Sequence, residues 1–156
     1  MVRTVFSFLI AFIVAWLAGT LIVSIANTHV GLAALTGIGA EIPTGVRIDA
    51  IMTDLVNFGP VLAILTLIGF AIAFPVAGFI ARALGPGWRR IGYTLAGAVA
   101  VFAIINGITV YFNSMLDSTI TPVASGRDWS GLLTLSLGGA AAGLLFSVLK
   151  RAGYEQ

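Results

Sequence analysis

Residues 58–111, FGPVLAILTLIGFAIAFPVAGFIARALGPGWRRIGYTLAGAVAVFAIINGITVY, read as two long apolar segments joined by a short basic connection from Arg82 to Arg90. Each segment has more than about 18 apolar or small residues without a charge, the length needed to cross a hydrocarbon core of roughly 30 Å. The stretch is a transmembrane hairpin. Short loops rich in Lys and Arg stay on the cytoplasmic side, so Arg82, Arg89 and Arg90 predict which way the hairpin points.

The whole chain agrees with this reading. It is 59% hydrophobic and 9% charged, against roughly 25% charged residues in an average soluble domain. Its mean hydropathy of +1.08 belongs to an integral membrane protein. The 156 residues leave room for about four spans and their loops, hence one transmembrane domain over 1–156. The absence of Cys excludes disulfides, thiolate metal sites and thiol redox chemistry. A net charge of +2 would suggest an acidic partner in a soluble protein, but here the basic residues sit at span ends, as topology requires. Nucleic-acid binding has no separate support.

The predicted architecture is an all-α, up-down bundle with spans at about 4–27, 58–83, 90–113 and 129–150. The first apolar run holds about 22 residues, too long for the roughly 7–15 of a signal peptide, so it is read as a retained helix. Within it Trp16 needs a partner for its indole N–H. Gly31, Gly37, Gly39 and Pro43 are expected to break the following connection. From Thr44, near an N-cap, Ile48, Ile51, Met52 and Leu55 recur at helical spacing, which predicts a short amphipathic helix over about 44–57 in the outer interface. Pro60 falls in the first turn of the second span, whereas Pro75 lies inside it and is expected to kink it.

Small residues mark packing faces. Gly92, Ala96, Ala100, Ala103 and Gly107 form one stripe on the third span, with Asn106 beside it seeking an interhelical hydrogen bond. Ser136, Gly139, Gly143 and Ser147 form another on the fourth. Trp88 and Tyr93 at one level, and Tyr111 and Trp129 at the other, are expected as aromatic belts.

Candidate chemistry is sparse. No Asp, Glu, Lys, Arg or His falls in the middle of a predicted span, which argues against a proton-coupled transporter or an intramembrane acid/base enzyme. His29 is the sole candidate axial ligand for a cofactor, and a single histidine excludes a bis-histidine haem within one chain. No second His or Cys completes a metal site, and none is expected. Glu41, Asp49, Asp54, Asp117 and Asp128 fall on the outer side, where they read as solvated loop acids rather than a cation site. No serine has a Gly-x-Ser-x-Gly setting, so no catalytic residue is assigned. Arg89, Arg90, Lys150 and Arg151 suit anionic head groups, although their role in topology suffices to explain them.

The expectation is a small non-catalytic subunit, without a cofactor, of a larger membrane assembly. Its partners are the bilayer and either other membrane subunits or further copies of itself. The alternatives are an oligomeric channel or facilitator with Pro75 and Asn106 near the path, and a membrane enzyme using His29 and the outer acids. Short loops and the lack of an Asn-x-Ser/Thr sequon suggest a bacterial inner membrane. Arg3, Arg82, Arg89, Arg90, Lys150 and Arg151 share one side, so both termini are expected in the cytoplasm. A C-terminal reporter that works only in the cytoplasm should be active, and one that works only outside should be silent; the reverse pattern inverts the topology.

Overall fold

In lipid every backbone N–H and C=O must be satisfied within its own segment, so apolar runs of this length have helix as their available form. The computed structural model describes residues 2–85, 87–116 and 123–152. Among them it contains α1 (Val2–Gly37), α2 (Thr44–Asn57), α3 (Gly59–Leu84), α4 (Trp88–Leu116) and α5 (Trp129–Ala152), with one 3-10 turn at Ala124–Gly126. Helices α1, α3, α4 and α5 are each long and apolar enough to cross a membrane, and they form a transmembrane bundle. Pro86, Asp117 and the side chains of Arg3 and Arg151 lie outside the described residues.

Helix α1 is longer than expected. It passes through Gly31, because an isolated glycine costs only about 1 kcal/mol in a helix and Leu32 beyond it is buried. The stop comes at Gly39, whose φ of 93° ends the helix with Ala40 N–H donating to Leu35 O and Gly39 N–H to Thr36 O. The chain then returns through α2, whose N-cap is Pro43 rather than Thr44, with no side-chain cap bond. No residue of α2 is fully buried; Ile51 and Leu55 are half-covered, while Ile48 and Met52 are exposed. At Phe58 the backbone stays helical, so α2 runs almost directly into α3. Helix α3 continues through Pro75, whose exposed ring leaves the Ala71 carbonyl without its usual i+4 donor.

The closest approach in the bundle is between α4 and α5. A Cβ built on Gly97 would overlap the carbonyl oxygen of Gly139, one on Gly139 would overlap that of Gly97, and one on Gly143 would overlap that of Tyr93. The two backbones touch, and no larger residue fits between them. Ala100, Ser136, Gly139 and Gly143 are buried in or beside this seam and Ala96 is half-buried. The seam departs from the expected stripe on α4, however. It follows Tyr93, Gly97, Ala100 and Val101, a face turned away from Ala103 and Gly107, which lie exposed. Gly97 was not singled out in the sequence, although a Cβ on it would overlap the α5 backbone.

Around the seam sits an aromatic core drawn from four helices. Phe74 stacks on Phe70 at 5.0 Å and on Phe146 at 4.7 Å, while Tyr93 meets Phe146 edge-on at 4.9 Å and Phe8 meets it at 5.4 Å. Tyr93 is 2% exposed, so it belongs to this core and not to an interfacial belt; Trp88, Tyr111 and Trp129 are exposed. The reason is register, since positions 93, 97 and 100 share the face that meets α5.

Gly97→Leu and Gly143→Leu should each cost about 1–3 kcal/mol through overpacking. Val148→Leu, at an exposed position, should stay within about 0.5 kcal/mol. Thermal unfolding of the three variants in one detergent checks the order, and equal melting would remove the seam from the account.

Candidate functional site

The residues with chemical potential fall into four groups. The first is the acidic loop side. His29 is exposed on α1, Glu41, Asp49 and Asp128 are exposed, and among the described residues no three of the His, Asp and Glu side chains gather into a group able to hold a metal. Asp54 is the exception to full solvation. Its Oδ2 accepts a hydrogen bond of 2.7 Å from Thr28 Oγ1, which ties α2 to α1.

The second group is a line of polar side chains on α1. Trp16, Thr20, Ser24 and Thr28 recur every four residues and so share one face of the helix. Trp16 Nε1 donates to Ala63 O on α3 at 2.9 Å, and the Thr20 and Thr66 hydroxyls are 2.7 Å apart. Ser125, in the 3-10 turn, donates to Asn27 Oδ1. Ser24 Oγ is buried and has no partner among the described residues. Asn106 does not join this network; its amide donates to Phe102 O within α4 at 2.9 Å, because a carbonyl of its own helix is nearer than another helix. Pro75 is exposed, and the Asn106 amide is engaged within its own helix.

The third group is an apolar cleft between α3 and α4. A cavity of about 300 Å³ is lined by Val23, Leu62, Ile105 and Leu135 among others, and a groove of about 270 Å³ shares Leu65, Ile104, Ile108 and Phe112 with it. Ala103 and Gly107 lie in the outer part of this groove, and a Cβ on Gly107 would meet nothing within 4 Å.

The fourth group is basic. Arg82 from the last turn of α3, Arg89 from the first turn of α4 and Lys150 near the end of α5 line one cavity of about 290 Å³ with Tyr93 and Gly78. Lys150 Nζ donates to Tyr93 Oη at 2.8 Å. Gly78 makes that possible, because a Cβ there would lie 2.7 Å from the Tyr93 oxygen. Arg90 is exposed and does not line the cavity. The sequence marked the basic residues but not Tyr93 or Gly78 as their partners; the available signal was that Tyr93 lies one helical turn after Arg89.

Thr20→Val and Thr66→Val should show a coupling of about 0.6 kcal/mol, with about 1.7 kcal/mol as the upper range for such bonds in membranes. A double-mutant cycle on detergent unfolding measures it, and additivity would dissolve the bond. Comparison of the chain with known proteins finds no matching family model, no matching curated protein and no matching solved structure.

Proposed function

We propose that the chain is a small, non-catalytic integral membrane subunit that packs into a larger membrane assembly, most simply in a bacterial inner membrane. In this reading the helices cross alternately, both termini are cytoplasmic, and α2 lies in the outer interface with Ile48 and Met52 turned to lipid. The observation that carries the proposal is the apolar cleft between α3 and α4, bordered by the exposed Ala103 and Gly107.

Between helices in lipid the hydrophobic effect supplies no net attraction, so association depends on close packing. Small residues four apart on an exposed face allow a second helix to approach, and Ala103 with Gly107 has that spacing. The occupant that fits is an apolar transmembrane helix of another subunit, bringing larger side chains to fill the groove between Leu65, Ile68, Ile108 and Phe112. Among the described residues the acids and His29 form no group of three able to hold a metal.

Purification from the native membrane in a mild detergent should recover a stoichiometric membrane partner. The pair Ala103→Phe with Gly107→Leu should remove that partner while leaving the melting of the isolated chain within about 0.5 kcal/mol, because both sites are exposed. Recovery of the chain as a self-contained oligomer, or turnover by the chain alone, sinks the proposal.

A further inference from the structure

The apolar cavity between α3 and α4 reaches the middle of the bundle. Val23 of α1, Leu62 of α3, Ile105 of α4 and Leu135 of α5 all line it, so each of the four spanning helices contributes a wall. All four residues are buried, and Val23 and Leu135 are each only 1% exposed. Toward the loops the cavity is capped by Phe58 and Val123, and the turn that follows Val123 is held in place. Its Ser125 donates to Asn27, and a Cβ on Gly126 would lie 2.7 Å from Ile105 Cγ2, so the turn sits directly against α4. Toward the side the cavity is open, because Val61 and Phe112 also line it and both are exposed. Among the described residues, then, the way in leads from the hydrocarbon of the bilayer.

The lining decides what can enter. A buried water needs about two to four polar partners. Asn27 is the one polar side chain among the described lining residues, and its Oδ1 already accepts from Ser125. A transmembrane helix, roughly 10 Å across with its side chains, is too wide to reach walls that four helices enclose. Left empty, those walls would face no atoms and would lose their dispersion contacts. A hydrocarbon chain gains contacts by entering, because a protein interior packs to a density of about 0.75 and an organic liquid only to about 0.5–0.6. At about 300 Å³ the cavity is roughly twice an apolar cavity that stays dry and takes up benzene, which leaves room for about ten chain carbons.

We propose that this cavity binds one acyl chain of a bilayer phospholipid, which enters between Val61 and Phe112. Phospholipid chains surround that opening and are the most concentrated apolar groups in a membrane. The head group stays outside, since no charged side chain among the described residues lines the cavity. The cavity shares Leu65, Ile104, Ile108 and Phe112 with the groove assigned to a partner helix, but Ala103 and Gly107 do not line it. The chain site does not rest on that partner.

The test uses the full chain alone, in nanodiscs of phosphatidylcholine doped with a phosphatidylcholine that carries a diazirine at the end of one acyl chain. Light expels dinitrogen, the resulting carbene inserts into a neighbouring C–H bond, and peptide mass spectrometry locates the adducts. Exposed Ile72 and Val99 should be labelled in every sample and serve as the internal standard. Adducts are also expected at Val23 and Leu135, which lipid on the outer surface of the bundle does not touch. Leu62→Phe, which fills the cavity, should remove those buried adducts and leave the standard unchanged. Val61→Trp narrows the opening from an exposed position, so it should act in the same way and keeps the test decisive if Leu62→Phe fails to fold. Adducts confined to exposed residues, or buried adducts that persist in each folded variant, overturn the proposal. The partner helix is tested by co-purification and this site by labelling of the isolated chain, so either can fail alone.

Discussion

The bundle depends on direct backbone contact between α4 and α5. Lipid tails are as apolar as leucine, so helices in a membrane gain little from burying apolar surface and must gain from close approach. Gly97, Gly139 and Gly143 allow carbonyl oxygens of one helix to reach the backbone of the other, where dispersion and weak Cα–H···O contacts accumulate. With α4 and α5 locked at that distance, Tyr93 stands beside Phe146. The remaining aromatic rings then have a fixed surface to pack against.

From that seam the two ends of the molecule acquire different character. At the basic end Phe8, Phe74, Tyr93 and Phe146 fill the space between four helices, and the Lys150 ammonium sits over three of these rings. Toward the other end α3 and α4 leave an apolar cleft, with Leu62, Leu65, Ile105 and Ile108 around it. One end offers a charged cavity with defined donors and the other offers shape without polarity.

Polar groups inside the spans are mostly answered locally. The hydroxyls of Thr36, Thr109 and Ser136 donate to carbonyls one turn earlier, which satisfies them without specifying any neighbour. Among the described residues, the bonds that do specify neighbours include Trp16 to Ala63, Thr20 with Thr66, Thr28 to Asp54, Ser125 to Asn27 and Lys150 to Tyr93. Four of the five involve α1, so this helix is placed laterally by polar contacts as well as by Gly19, which lies against Ala142 and Phe70.

The sequence by itself determined the number and length class of the membrane helices, because an apolar run without charges has no other way to satisfy its backbone in lipid. It also marked Trp16 as needing a partner and Gly139 and Gly143 as candidate packing residues. The rotation of each helix was decided only by tertiary structure. Several faces of α4 carry small residues, and the choice of the Gly97 face over the Ala103 and Gly107 face depended on where the α5 glycines lay. That same rotation moved Tyr93 from an expected belt into the core and brought its hydroxyl to Lys150. The continuation of α1 past Gly31 was likewise illegible, since the cost of one glycine is small beside the packing of Leu32 beyond it. Arg82, Arg89 and Lys150 were visible as basic ends of separate helices, but their convergence on one cavity required the three-dimensional meeting of those ends, which no spacing along the chain encodes.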